Sequence, residues 1–559
     1  MSERQPTRPS ALQLVAGQVR YAVLGVVRTP IAAFFTFAFP VIFVVLIGIL
    51  AGDEVVDEAT GVRVTQFATP GMMAFAVAMA SFTTPASAMA FARQTGVLKR
   101  LRGTPLPAWA YLGGRVVGAA LVALVAFLLT VVVAVLTFDV QVFARTLPQA
   151  ALVIVLASAS LAALAFAAVA VFRSAETVNM VTTGSVVMLG FVSDIFLVGA
   201  ELPRPLALIG DLFPLSHLGA LLRDAFHPFG TPAFGWEHLA VVAAWGVGAT
   251  ALAVWRFSWQ PATRAGGGQP TPARVEEVPV TPASAVGAVV EVGRPGGVAL
   301  LAGQVRAALL AVRRDVGSVF FAVLFPLLLV LLMPAVFGEG TLEGFDLPFV
   351  QVLAPAMVAY GVATHGFVNL PEQLARARDA GVLRRLRGTP LPAAAYLGGR
   401  LVAVVVVAVA IAVVTFVAAA LVWDLSVPLA RVPAAVVALG IGTAAMTALG
   451  VVVAGLARTA KSVPPISLGL LLPLSFVSDV FSFAPLPTAL QVVGWAFPLK
   501  PFVHALTGAL DGGSPAWAWP ELAALTAWAV VGALVAARTF RWEPKAVRQG
   551  PAVRAAGAA

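Results

Sequence analysis

The sequence predicts an all-α polytopic membrane protein made of two parallel six-helix repeats. Three observations lead to this prediction: the composition, the long apolar runs and an internal duplication. Of the 559 residues, 60% are hydrophobic and only 11% are charged, and the mean hydropathy is +0.94. Soluble proteins carry about 25% charged residues, so this chain has too little charge to cover a surface in water. It also contains no cysteine, which excludes thiolate metal sites and thiol catalysis.

The N-terminal region predicts a helix that lies along the membrane surface. Residues 11–28 place apolar side chains at helical spacing, and Gln13, Gln18, Arg20 and Arg28 interrupt the apolar face. A helix of this kind lies in the membrane interface with its apolar side toward the lipid. An ordinary lead-in to the first span is the alternative interpretation.

Twelve apolar runs are long enough to span a membrane, because about 20 residues rise about 30 Å as a helix. Six lie near residues 31–51, 69–91, 116–138, 150–171, 179–198 and 239–255. The other six lie near residues 318–337, 352–371, 401–422, 434–456, 464–483 and 516–537. Residues 258–297 are rich in Pro, Gly and charge, which is typical of a flexible linker. We therefore expect a first repeat at 1–257, a second repeat at 298–545 and a cytoplasmic tail at 546–559.

The basic residues indicate the orientation in the membrane. If the N-terminus is cytoplasmic, most of the 36 Lys and Arg residues fall on cytoplasmic segments, in agreement with the positive-inside rule. We therefore expect a multi-pass protein of the plasma membrane, surrounded by membrane lipids, with both termini in the cytoplasm. No basic face with interleaved aromatic residues is present in the sequence, so a nucleic-acid partner is not expected.

The two halves are copies of one another. The sequence LVAGQVR at 14–20 returns as LLAGQVR at 300–306, and FVSDIF at 191–196 returns as FVSDVF at 476–481. The segment 96–115 returns at 381–400 with only two changes. Each copy has an even number of spans, so both copies start on the same side of the membrane. A pseudo-two-fold axis along the membrane normal then relates them, and a translocation route would lie on that axis.

The repeated segment after the second span of each half predicts a short amphipathic helix. In the first copy, Val97, Leu98 and Leu101 share one side, while the basic residues face elsewhere and a Gly-Thr-Pro sequence ends the helix. Such a helix between two spans can dock on a soluble partner. A loop that binds lipid headgroups is the alternative, but the near-identity of the two copies favours a shared partner surface.

This segment and its copy resemble the coupling segment of the ABC type-2 permeases, which have the type V exporter fold. The resemblance covers both halves, and the chain as a whole is similar to an actinobacterial-style fusion of two permease subunits. In that family the segment forms the coupling helix that contacts the ATPase. The coupling residues implied by the resemblance are Gly96, Leu98, Arg100, Leu101, Arg102, Pro105, Gly381, Leu383, Arg385, Leu386, Arg387 and Pro390. The family often has acidic residues just before the glycine, whereas this chain has Arg93 and Gln94, and Arg378 and Asp379.

The resemblance also implies which segments line the route. The Pro-rich segments 199–235 and 484–515 would form re-entrant helices that cap it. The second and fifth spans of each half would line it, offering Met72, Phe75, Met79, Met188, Phe191, Met357, Tyr360 and Phe476. Met and Phe form adaptable apolar surfaces, which suit an amphiphilic drug, antibiotic, polyketide or lipid. Plain helix packing or lipid contact is the alternative for each of these side chains.

The sequence contains no GxxxxGK[ST] motif, so it lacks the phosphate-binding loop of P-loop ATPases. We therefore expect no catalytic residue, metal or cofactor in this chain. The driving force would come from two copies of a separate cytoplasmic ABC ATPase that binds ATP and Mg²⁺. Pro40 and Pro326 predict a kink in the first span of each half.

Two other functions are consistent with parts of the sequence. An ion-coupled secondary transporter would use Asp194 and Asp479, which recur at the outer ends of the fifth spans and are candidates for an outer gate. Packing at the outer interface is the other interpretation of these aspartates. We expect His365 to be a helix-packing residue. A membrane-embedded lipid-modifying enzyme would use the acidic loop Asp53, Glu54, Asp57 and Glu58, for which a solvated loop is the simpler account.

Overall fold

The fold is almost wholly helical, as predicted. The computed structural model describes residues 10–52, 54–57, 61–197, 202–227, 235–256, 296–338, 340–341, 347–389, 391–482, 486–511 and 517–540. Within these ranges, the one sheet is a short antiparallel hairpin of β1 (Val55–Asp57) and β2 (Val62–Arg63). The predicted tail, and the predicted linker apart from residues 296 and 297, lie outside the described residues.

Each half folds into the same succession of ten helices within the described residues. The first half contains α1 (Ala11–Val27), α2 (Pro30–Ala51), α3 (Val64–Gln94), α4 (Val97–Arg102), α5 (Ala108–Phe138), α6 (Leu147–Val171), α7 (Ala175–Val192), α8 (Arg204–Leu212), α9 (Pro214–Phe226) and α10 (Trp236–Arg256). The second half contains α11 (Gly297–Arg314), α12 (Gly317–Phe337), α13 (349–379), α14 (Val382–Arg387), α15 (Ala393–Trp423), α16 (Leu429–Leu456), α17 (Ala460–Val477), α18 (Thr488–Trp495), α19 (Leu499–Leu510) and α20 (Trp519–Thr539).

Eleven of the described helices are long and apolar enough to cross a membrane. They are α2, α3, α5, α6, α7, α10, α12, α15, α16, α17 and α20. The one remaining predicted span, near residues 352–371, corresponds to α13. Its mean hydropathy is lowered by Gln351, His365 and Asn369. All of its side chains from 349 to 371 are buried, so these polar groups face protein rather than lipid, as polar residues in membrane helices usually do. Each half therefore has six long helices, of which α3 and α13 are the central ones.

Proline affects the helix geometry at matching places in the two halves. A π-helical turn precedes Pro40 in α2 (Phe34–Ala38), and another precedes Pro326 in α12 (Phe320–Leu324). Proline has no N–H to donate and its ring crowds the carbonyl four residues earlier. The wider turn accommodates it, so the helix is locally remodelled at both predicted kink positions.

The two halves meet through a reciprocal interface. A methyl group on Gly184 of α7 would lie 3.1 Å from the ring of Phe320, and one on Gly469 of α17 would lie 3.7 Å from the ring of Phe34. Each fifth span therefore packs on the first span of the other half. An interface of this kind, in which equivalent surfaces exchange contacts, is what a pseudo-two-fold axis produces.

The segments after the fifth spans form pairs of short helices. Helices α8 and α9 meet at 92°, and α18 and α19 are their counterparts in the second half. Gly210 and Gly494 bring these pairs against the preceding span: a methyl group on either would lie 2.1 Å from a carbonyl oxygen, that of Val192 or Val477. Only glycine permits so close a backbone approach. The predicted re-entrant segments thus pack tightly on the ends of α7 and α17.

Candidate functional site

A cavity of about 2090 Å³ lies between the two halves. Its wall comes mainly from the first, second and fifth spans of each half, which are α2, α3, α7, α12, α13 and α17. The wall is mostly apolar and rich in Phe side chains. The short helices α4 and α14 both lie at one end of the bundle, which we call the basic-helix side. The ends of α7 and α17 that carry the FVSDIF and FVSDVF sequences lie at the opposite side.

Seven aromatic rings on the cavity wall form a closed circuit of contacts. Neighbouring ring centroids are 4.9 to 6.0 Å apart, which is normal aromatic packing distance. In the order of their contacts, the rings are Phe196, Phe191, Phe325, Tyr360, Phe481, Phe476 and Phe43. Both halves contribute to this circuit, which we call the aromatic ring.

The repeated FVSD sequences explain how Phe196 and Phe481 join the aromatic ring. Asp194 and Asp479 have positive φ angles of 54° and 57°, a conformation that Asp tolerates better than most residues. This turn reverses the chain at the end of the fifth span. In the first half, the backbone N–H of Phe196 donates to the carbonyl of Gly190 at 3.2 Å, which folds the Phe196 ring back against Phe191.

The same two aspartates join the turns to the helix pairs that follow them. The carboxylate of Asp194 lies 3.7 Å from Nη1 of Arg223 on α9. The carboxylate of Asp479 lies 3.1 Å from Nζ of Lys500 and 2.8 Å from Nε2 of His504, both on α19. Neither aspartate is on the cavity wall. Each aspartate therefore anchors the turn at the end of a fifth span to the helix pair that follows it.

The cavity wall includes most of the side chains expected on the route. Six of them lie on it: Phe75, Met79, Phe191, Met357, Tyr360 and Phe476. Two do not: Met72 is fully buried in the packing of the first half, and Met188 is half-buried and off the wall. His365 is also buried and off the wall. Of the acidic loop, Glu54 lies on the wall, while Asp53 and Glu58 lie outside the described residues.

The cavity carries charge toward the basic-helix side. The charged side chains of one flank include Glu176, Asp315, Glu372 and Arg376, and the last two form an ion pair of 2.6 Å. On the flank related by pseudo-symmetry, Lys461 occupies the position of Glu176, and its Nζ lies 5.5 Å from the centre of the Phe91 ring. The cavity is thus apolar at the aromatic ring and polar at the other end.

The short basic helices have one buried apolar residue each and an exposed basic face. Gly96 and Gly381 have φ angles of 72° and 70°, so each helix begins with a sharp turn that favours glycine. Leu98 and Leu383 are completely buried. Arg100, Arg102, Pro105 and Arg385 are exposed, and Leu101 and Leu386 are half-buried. Pro390 and the Arg387 side chain lie outside the described residues.

Sequence reasoning missed two groups of residues in this region. Phe196 and Phe481 were visible only as part of a repeated motif, because nothing in the sequence shows that the chain reverses at the aspartate. Arg93 and Arg378 were noted only as departures from the family pattern. Both arginines are buried, at 6% and 3% exposure, and point into the bundle.

The fold and the cavity define a duplicated helical membrane protein of the transport class, with a short basic helix from each half on one side. The model of the ABC-2 type transporter family matches residues 18–227 and 300–510, which is well over half of the chain. The protein therefore belongs to the ABC-2 type transporter family, with one family unit in each half. Membership makes it the transmembrane subunit of an ABC transporter and implies an ABC ATPase partner. A comparison with curated proteins gives no match.

Proposed function

We propose that this protein exports an amphiphilic substrate through the central cavity, driven by two copies of a separate cytoplasmic ATPase. The observation that carries the proposal is the cavity between the halves, with one exposed basic helix from each half on the same side. Two equivalent docking helices call for two equivalent partners. The basic-helix side is then cytoplasmic, which agrees with the positive-inside orientation in a plasma membrane.

The cavity supports the choice of an amphiphilic substrate. Its volume of about 2090 Å³ exceeds the roughly 300–1,000 Å³ of common small-molecule pockets. A bulky apolar body fits against the aromatic ring, and a polar group fits near Asn179, Glu176 and Glu372 at the basic-helix side. A drug, an antibiotic, a polyketide or a lipid has this combination of properties.

The basic helices would pass the ATPase movement to the membrane helices. ATP and Mg²⁺ would be held by the partner, where nucleotide binding would supply the driving force. Leu98 belongs to a buried apolar cluster that includes side chains of α3, α5 and α6, among them Tyr111 and Phe166. Leu383 is buried in the equivalent cluster of the second half. Because each helix is embedded in this way, displacement of the helix displaces the spans, and the aromatic ring is the part of the route that must open.

The other two candidate functions have less support from the described geometry. An ion-coupled transporter needs an exchangeable ionisable group on the route, whereas Asp194 and Asp479 are ion-paired away from the cavity wall. A lipid-modifying enzyme needs paired acid–base groups, and of the acidic loop only the Glu54 side chain is placed on the wall within the described residues.

The proposal is tested by reversing the charge of both basic helices. The double variant Arg100→Glu with Arg385→Glu should insert normally but lose co-purification of the ATPase. Arg204→Glu is a matched control, since Arg204 is exposed on the opposite side and its reversal should leave the complex intact. Unchanged pull-down by the double variant would remove the docking role.

A second measurement tests the energy source. Vesicles that contain this chain and its ATPase should accumulate substrate when ATP is present, and vesicles with this chain alone should not. Accumulation by the chain alone, abolished by an uncoupler, would instead establish ion coupling.

A further inference from the structure

Two buried arginines at equivalent positions join the second span of each half to the end of the fourth. Arg93 lies near the end of α3, three residues before Gly96, and Arg378 occupies the same place in α13. The Arg93 guanidinium donates to the carbonyl oxygens of Val169, Phe172 (2.5 Å) and Arg173 (3.0 Å). The Arg378 guanidinium donates to those of Ala454 (2.8 Å) and Arg458 (3.4 Å).

These contacts satisfy carbonyl groups at the end of the fourth span and just beyond it, and those of Val169 and Ala454 belong to the last turn of the helix. The last four carbonyls of a helix have no partner within the helix, and they carry the negative end of its dipole. Arginine suits this position because its fork of donors can reach several carbonyls at once and stays charged when buried. Lysine, with one terminal nitrogen, cannot bridge them in the same way.

In both halves the second span is also connected to the fifth span. Asp379 accepts a hydrogen bond from the backbone N–H of Ala460, at the start of α17, at 2.7 Å. Its other carboxylate oxygen lies 3.2 Å from Nε of Arg378. In the first half, Ser87 of α3 donates to the side chain of Asn179 on α7 at 2.8 Å. The end of the second span is thus linked to the fourth and fifth spans in both halves.

We propose that Arg93 and Arg378 are positioning residues, each acting within its own half. Arg93 makes α4 move together with the α6–α7 turn, and Arg378 makes α14 move together with the α16–α17 turn. The inference rests on the proposed coupling role of α4 and α14. Movement imposed on a basic helix then reaches α7 and α17, which line the cavity and carry the FVSD turns of the aromatic ring. Without the arginines, the ATPase would still bind, but movement of the basic helices would reach the fifth spans less completely.

The absence of cysteine in the chain makes a distance measurement straightforward. Spin labels at Lys99→Cys and Arg173→Cys report on the spacing of α4 and the α6–α7 turn, because both side chains are exposed and the Arg173 carbonyl is retained. With Arg93 present, we expect one narrow distance distribution that does not change between nucleotide-free and ATP-bound complexes. With Arg93→Gln, we expect a broad distribution, and with Arg93→Lys an intermediate one.

A coupling measurement distinguishes positioning from simple stability. Because hydrogen bonds to a charged group are among the stronger ones, Arg93→Gln should export about tenfold fewer substrate molecules per ATP, or worse. ATPase co-purification should be retained. Arg20→Gln removes an exposed arginine of α1 and should change neither quantity. If Arg93→Gln proves too unstable to purify, Arg93→Lys carries both measurements.

The outcomes separate this inference from the proposed function. An unchanged distance distribution and an unchanged substrate-to-ATP ratio in Arg93→Gln would overturn the positioning role while leaving ATP-driven export intact. The distance measurement on the chain alone stays informative even if no ATPase binds, in which case the proposed function fails and the mechanical link can still be established.

Discussion

Replacement of Leu98 by alanine tests how the basic helix α4 is held in place. This helix has only six residues, too few for an isolated helix to be stable in water. Leu98 is its one fully buried side chain and packs in the same cluster as Tyr111 and Phe166. Its exposed neighbour Val97 offers a matched control, because Val97→Ala removes apolar atoms from the same helix without emptying a buried site.

The size of the effect follows from the burial. Leu→Ala substitutions at fully buried sites cost about 2.7–5 kcal/mol, because transfer free energy is lost and a cavity remains. Because α4 is a short helix between two long spans, most of this cost should appear as release of the helix rather than as global unfolding. Each 1.4 kcal/mol is a factor of ten. The released fraction should therefore rise by about a hundredfold to a few thousandfold.

Limited trypsin digestion measures the released fraction. Lys99, Arg100 and Arg102 are all within α4, and a protease needs the backbone in an extended, accessible form. When opening is fast compared with cleavage, the cleavage rate tracks the open population. Fragments that begin at Arg100, Leu101 or Gly103 should appear much faster from Leu98→Ala than from Val97→Ala. Equal rates for the two variants would refute the view that Leu98 anchors the helix.

Two further predictions concern the side of the bundle opposite the basic helices. Gly210→Ala should destabilise the protein by about 1–3 kcal/mol or more, because the new methyl group meets a backbone carbonyl that no side-chain motion can relieve. Gly248→Ala, with open space around it, should be neutral or slightly stabilising, and equal thermal shifts would contradict the contact. Asp479→Asn should cost about 3–5 kcal/mol, since it leaves the buried Lys500 without its carboxylate. Asp194→Asn should cost less because its ion pair is longer and more exposed, and thermal unfolding in nanodiscs checks the order.

The sequence alone was sufficient for the architecture. Apolar runs of membrane length, the basic residues between them and the copied segments predicted two six-span units with a shared axis. The short basic helix was also visible, because a Gly start, a Leu spacing and a Gly-Thr-Pro stop are local signals. These features depend on length, charge and neighbouring residues, which do not require the chain to be folded.

The sequence does not show as clearly which side chains line the cavity. Met72 and Met79 are both apolar residues of α3, yet Met72 is packed away and Met79 lines the cavity. In a soluble helix the polar face marks the outside, but a helix in lipid is apolar all round, so its periodicity does not show which face points inward.

The tertiary structure alone decided the parts of the site that join distant segments. Phe196 belongs to the aromatic ring only because the chain turns back at Asp194, and its neighbour Phe43 comes from a helix far away in the sequence. Arg93 reaches the end of α6 only because α3 and α6 are adjacent in the bundle. Such contacts depend on helix packing, where many small contributions combine and no single sequence pattern is diagnostic.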